Sequence, residues 1–235
     1  MKISFNINYR TNWGESVYIT GDIPELGNGN ELNALQLSLD GSDKWHTTIE
    51  VEDATPDFKY SYIIKHENGY TRKEWGAGHN FRRGKSAKVY EIHDSWQDQP
   101  FDRPYYSSAF TDCICNRGSK EKPLTVKNGI INVRISAPMV KNDEVLAMCG
   151  GCEQLGAWDA SKAIVMNDTF FPEWNINLDV KTLTTPFDYK FVILKKDTLE
   201  VVAWEAGSNR YFNYTPAQKN EVMVVSGLRF NNPLA

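Results

Sequence analysis

Apolar and polar residues alternate one for one along most of this chain. In "ISFNINY" Ile3, Phe5, Ile7 and Tyr9 share one face, and in "INVRIS" Ile131, Val133 and Ile135 do the same. "SVYITGD", "WHTTIEV", "FKYSYIIK" and "AKVYEIHD" follow the first of these; "VLAMCG", "WNINLDV", "FDYKFVIL" and "EVMVVSG" follow the second. Runs with a period of two, rich in Val, Ile, Tyr and Phe, predict strands with one buried face. Gly, Asn and Asp gather between them, as in "LGNGNELN", "LDGSD", "HENG" and "GAGHN", and mark turns. No segment sustains a helical stripe of apolar positions, so the predicted fold class is all-β, built from antiparallel sandwiches.

The runs come in two matching sets. At a shift of 129 residues Glu15 meets Glu144, Gly21 meets Gly150, Leu26-Gly27 meets Leu155-Gly156, Trp45 meets Trp174, and Tyr60 meets Tyr189. The same shift sets Trp75 on Trp204, Ala77 on Ala206, Gly78 on Gly207 and Asn80 on Asn209. A period this long indicates tandem domains rather than a solenoid of small units. Two immunoglobulin-like β-sandwich domains are predicted, at residues 1–94 and 128–227, with an inter-domain segment at 95–127 and a tail at 228–235. The segment carries Trp96, Phe101, Tyr105, Tyr106 and Phe110, which argues for an ordered linker packed on a domain; only "NRGSKEKP" at 116–123 reads as free loop. Trp45 and Trp174 fall in mid-strand and are expected in the cores.

Composition narrows the function classes. The net charge of the 235-residue chain is -4, with no basic stripe, so nucleic acid is not an expected partner. No apolar run is long enough to span a membrane, and "MKISFNINYR" lacks the apolar core of a secretory signal, so a cytoplasmic chain with reduced thiols is expected. Cys113, Cys115, Cys149 and Cys152 equal the ligand number of a structural zinc, but C-x-C is a poor zinc knuckle and no metal is expected. "CGGC" lacks the βαβ setting of a thioredoxin motif. The four histidines have no metal or triad spacing and no cofactor motif is present, so neither a cofactor nor a catalytic residue is expected within this chain.

The aromatic content, 12% with 7 Trp, points elsewhere. In the second copy Trp158 follows Leu-Gly in a turn, Lys190 faces out of the strand "FDYKFVIL", and Trp204, Glu205 and Asn209 lie in "AWEAGSNR". An indole matches the apolar face of a sugar ring, and Lys, Glu and Asn match its rim of hydroxyls. Each platform contributes on the order of 2–3 kcal/mol before ordering costs, which implies dissociation constants of roughly micromolar to millimolar. Two linked copies raise avidity without new contacts.

"EQLGAWDASKAIVM", "EWNINLDV", "FDYKFVI" and "VAWEAGSNRYF" together resemble the starch-binding carbohydrate-binding modules of family 20. The resemblance implies α-1,4-glucan binding by Trp158, Lys190, Trp204, Glu205 and Asn209. In copy one Gly29, Ser61 and Gly76 stand where copy two has Trp158, Lys190 and Glu205, and only Trp75 and Asn80 remain, so its main site is expected to be weaker or lost. The family's second site is built on an aromatic before Gly-Glu. Trp13 precedes Gly14-Glu15, and the matching residue of copy two is read as Lys141, which implies that copy two lacks this site. The tandem order, with "DSWQ" and "SSAFTDCI" between the copies, resembles the N-terminal region of the 4-α-glucanotransferases of glycoside hydrolase family 77. That resemblance implies a non-catalytic front end whose tail leads to a catalytic barrel, for which this chain has no room.

Overall fold

The computed structural model describes all residues except 42, 119–120, 216–219 and 234–235. The chain divides into two compact units. The first comprises Met1–Gln99, Val126–Gly129 and Lys219–Gly227; the second comprises Pro100–Thr125, Ile130–Gln218 and Leu228–Ala235.

The strands are β1 (Lys2–Asn8), β2 (Glu15–Gly21), β3 (Leu35–Gln36), β4 (Ser38–Asp40), β5 (Lys44–Glu50), β6 (Phe58–His66), β7 (Thr71–Lys73), β8 (His79–Phe81) and β9 (Val89–Asp94), then β10 (Ile130–Ser136), β11 (Glu144–Gly150), β12 (Ile164–Val165), β13 (Asn167–Phe170), β14 (Glu173–Asp179), β15 (Phe187–Lys195), β16 (Val201–Trp204), β17 (Arg210–Phe212) and β18 (Val222–Arg229). In the first unit β1 runs antiparallel to β5 and parallel to β9, and Val222–Ser226 of β18 pair in parallel with Tyr90–Asp94 of β9. The facing sheet has β2 between β3 and β6, with β7 and β8 both on β6. In the second unit β10 and β13 flank β14, and the facing sheet runs β12, β11, β15, with β16 and β17 both on β15. This is the all-β sandwich fold that the alternation predicts, in the tandem form that the repeat predicts.

The period-two faces meet in the cores. Ile3, Phe5 and Ile7 are buried, and the Phe5 ring packs edge-on against Tyr60 of the facing sheet, centroids 4.9 Å apart. Trp45 and Trp174 are buried as expected, and their indole N–H groups donate to the carbonyls of Tyr9 (3.1 Å) and Ala137 (3.2 Å). A buried indole needs such a partner, because an orphaned donor would offset part of the gain from burial.

Two features of the inter-copy segment depart from the sequence reading. Residues Ala109–Cys115 wind into one π-helical stretch, closed by Asn116 in the left-handed region (φ 42°). The stretch 116–123, of which 119–120 lie outside the described residues, is tied down at Asn116, Arg117, Glu121 and Lys122, and Asn116 N–H donates to the Thr111 carbonyl (3.0 Å). The Arg117 side chain is 4% exposed and donates to the Asp168 carboxylate (2.6 Å) and to the carbonyls of Lys141 (2.6 Å) and Glu144 (2.9 Å), while its guanidinium lies 4.5 Å from the centre of the Trp174 ring. Asn167 donates to Glu121 (2.7 Å) and to the Lys122 carbonyl (3.0 Å). Among the described residues no helix is long and apolar enough to cross a membrane.

Candidate carbohydrate-binding site

β15 forms the floor of the site in the second unit. Phe187, Tyr189 and Phe191 point into the core, so Asp188 and Lys190 point out of the sheet. Lys190 donates to the carbonyls of Gly207 (2.7 Å) and Glu205 (3.1 Å). An ammonium has three donors. Two are committed to the loop after β16, and among the described residues the third has no partner.

The two indoles stand beside this ammonium. After β11 the chain makes a short 3-10 turn, Glu153–Leu155, ended by Gly156 in the left-handed region. Ala157 (φ 49°) and Trp158 (φ 69°) continue left-handed, and Trp158 N–H donates to the Gly150 carbonyl (2.9 Å). Bulky side chains avoid this region, and holding one there costs on the order of 1–3 kcal/mol. The geometry throws the indole across Gly151, where a Cβ would come within 3.3 Å of Trp158 Nε1. Trp204 ends β16 opposite Val192 and is half-buried, whereas Trp158 is exposed. The two ring centroids are 6.5 Å apart, with planes inclined at 51°. Asn209 is exposed at the far end of the same loop.

The Glu205 carboxylate does not reach the outer face of the sheet. Its side chain is 1% exposed, accepts the Phe191 N–H (2.9 Å), and pairs with Arg210, which donates from Nε (3.0 Å) and from a terminal nitrogen (2.9 Å). The reason is the strand period: with Trp204 outward, the next side chain points inward. Glu205 acts as an internal brace, and its carbonyl, not its carboxylate, meets Lys190.

The first unit repeats the scaffold without these side chains. Gly29 N–H donates to the Gly21 carbonyl (2.7 Å) as Trp158 does to Gly150, and Gly29 is likewise left-handed, with a φ of 73°. The turn is therefore shared and bare. Ser61 holds the place of Lys190, since Ser61 pairs with Thr20 as Lys190 pairs with Cys149.

Beyond this point the shift of 129 fails. The hairpin after β6 closes with His66 N–H to the Tyr70 carbonyl; the hairpin after β15 closes with Lys195 N–H to the Glu200 carbonyl and is one residue longer. β16 then carries a bulge between Val201 and Ala203. The pairing thereafter matches at a shift of two more residues. Glu74 accepts the Tyr62 N–H (2.8 Å) as Glu205 accepts that of Phe191, and His79 lies opposite Tyr60 as Arg210 lies opposite Tyr189. Lys73 and Gly78 thus hold the places of Trp204 and Asn209. Trp75 and Asn80 correspond to Ala206 and Tyr211 and are not a second copy of the indole and amide.

The brace itself differs in the first unit. His79 is buried between Glu74 (3.0 Å) and Asp94 (3.3 Å), and the Tyr60 and Tyr62 hydroxyls donate to Asp94 (2.9 and 2.8 Å). Burial alone would lower the imidazole pKa, but the two carboxylates outweigh it and push it up to about 10. The Asp94 pKa is likewise lowered, by His79 and its hydroxyl donors working against burial.

Trp13 is 97% exposed on the turn Asn12–Glu15, where Asn12 N–H donates to Glu15 (2.8 Å). The matching bond in the second unit runs from Lys141 N–H to Glu144 (3.1 Å). Lys141 therefore matches Asn12, and the counterpart of Trp13 is Asn142, which is also not aromatic.

A family model described as a starch binding domain matches residues 1–93 and 130–224. The chain is 26% identical over 223 residues to the 4-alpha-glucanotransferase DPE2 of Oryza sativa subsp. japonica, a match covering 88% of this chain and 23% of that protein. It is 28% identical over 96 residues to Glucoamylase-1 of Schizophyllum commune, covering 40% of this chain and 16% of that one. The chain thus spans under a quarter of the length of these relatives. Among solved structures, the family 20 CBM of a maltotetraose-forming amylase from Pseudomonas saccharophila is 20% identical, covering 41% of this chain and 99% of that one, with a TM-score of 0.33.

Proposed function

This chain belongs to the starch-binding domain family, and from that membership we propose that its second unit binds α-1,4-glucan on the face formed by Trp158, Trp204, Lys190 and Asn209. The observation that carries the reading is the tilted indole pair, 6.5 Å apart at 51°, standing over a lysine held by two carbonyls. Successive glucosyl units of a curved α-1,4 chain present differently inclined apolar faces, which two inclined indoles match better than a flat pair. The remaining Lys190 donor and the Asn209 amide meet the hydroxyl rim. Carbohydrate binding, not catalysis, is the role of the chain.

The finer reading is that these units serve a 4-α-glucanotransferase as its non-catalytic N-terminal part, holding maltooligosaccharide, starch or glycogen near a catalytic domain. Similarity to the rice protein across both units supports it. For the first unit a structural role in orienting or dimerising such an enzyme is favoured, because Gly29, Ser61, Lys73 and Gly78 occupy the positions of the sugar-binding residues; Trp13 is its remaining candidate contact. Calorimetric titration with β-cyclodextrin tests the main proposal. Trp204→Ala is expected to weaken binding at least tenfold with circular dichroism unchanged; unaltered affinity would refute the assignment.

A further inference from the structure

The outer face of the second unit continues past the indoles. β17 pairs with β15 so that Tyr211 lies opposite Asp188 and Phe212 opposite Phe187. Phe187, Tyr189 and Phe212 are buried, so Asp188 and Tyr211 share the outer face with Lys190. Tyr211 is 57% exposed. Residues diagonal across such a ladder stand about 7–8 Å apart, within reach of an aromatic ring, which sets Tyr211 beside Lys190. On the other flank of Asp188, its carbonyl accepts the Gly151 N–H (2.8 Å), and Gly151 is the residue that the Trp158 indole crosses. The Asp188 row is thus bordered by an indole turn on one side and a phenol on the other.

A single exposed tyrosine is ordinary on a protein surface. Here it continues an aromatic series around a fixed ammonium and lies opposite a carboxylate. The corresponding pair in the first unit, which lacks the indoles, is Lys59 opposite Asn80. The phenol and the carboxylate therefore accompany the indole pair.

We propose that Tyr211 and Asp188 form an additional glucosyl subsite contiguous with the indole pair, taking a further sugar of the same α-glucan chain. The phenol ring lies under the apolar face of that sugar, and the Asp188 carboxylate accepts from its hydroxyls. The proposal rests on the reading that Trp158 and Trp204 bind glucan. Its signature is dependence on chain length: a short oligosaccharide fills the indole pair alone, and a long one also reaches Tyr211.

Titration of the full chain with maltotriose and with maltoheptaose tests it, using wild type, Tyr211→Ala, Asp188→Asn and Trp204→Ala. Tyr211→Ala is expected to weaken maltoheptaose about fivefold and maltotriose less than about twofold. Asp188→Asn is expected to shift the same ratio in the same direction. Both residues are exposed, so circular dichroism should not change. If Tyr211→Ala affects both ligands equally, or neither, while Trp204→Ala abolishes both, the extension is refuted and the indole site stands. If Trp204→Ala leaves both affinities intact, the underlying reading falls first.

Discussion

The left-handed turn that presents Trp158 makes a quantitative demand on stability. Consider Trp158→Ala and Trp158→Gly. Both remove the indole and its packing against Gly151, so that loss cancels between them. They differ in the backbone. A residue with a Cβ at φ 69° carries about 1–2 kcal/mol of left-handed strain, which glycine does not. Glycine in turn loses about 0.5–1 kcal/mol through its freedom in the unfolded chain. The glycine variant should therefore be the more stable by about 0.5–1 kcal/mol, or roughly 2–6 °C in Tm for a domain of this size. Gly29→Ala provides the converse: its φ is 73° and nothing lies within 4 Å of an added Cβ, so strain alone should cost about 1 kcal/mol. Urea unfolding followed by circular dichroism, with thermal melts alongside, reads both. Should the alanine variant at 158 be the more stable, as at an ordinary φ, the turn is not left-handed. The shared geometry of Gly29 and Trp158 would then fail with it.

Further outcomes follow from the braces and the loops. Glu205→Ala leaves the Arg210 charge without its buried partner and should destabilise the second unit by about 3–5 kcal/mol in urea titrations; glucan affinity should fall with it, through the Lys190 carbonyl anchors. His79 has a folded pKa of about 10, above its unfolded value of roughly 6.5. The stability it contributes is fully present below pH 6.5 and is lost as pH rises through 10. The Tm gap between wild type and His79→Gln should therefore be largest near pH 6 and shrink toward pH 10; a constant gap would contradict a charged His79. Trp13→Ala, at a fully exposed position, should leave Tm unchanged and lower the glucan affinity that survives Trp204→Ala.

Much of the architecture was legible because the strand period is a direct readout of which face is buried. Ile3, Phe5 and Ile7 alternate in the sequence and are buried together in the sandwich. The same rule places Lys190 outside. Applied one step further, from an outward Trp204, it turns Glu205 inward, an orientation that a motif of residue types alone does not carry. The registers of Trp75 and Asn80 were not legible. They turn on one extra hairpin residue and one bulge, which backbone pairing fixes and composition does not reveal. Arg117 lies in a stretch of loop-like composition, but a guanidinium with five donors can close a loop onto carbonyls wherever these converge.

The central claim is that the Trp158–Trp204 face takes up the glucan, and the indole N–H resonances test it most directly. In a nitrogen-15 correlation spectrum titrated with maltoheptaose, the signals of Trp158 and Trp204 should shift progressively, and those of the buried Trp45 and Trp174 should stay in place. Saturation with Trp158 and Trp204 unmoved, while other tryptophans shift, would contradict it.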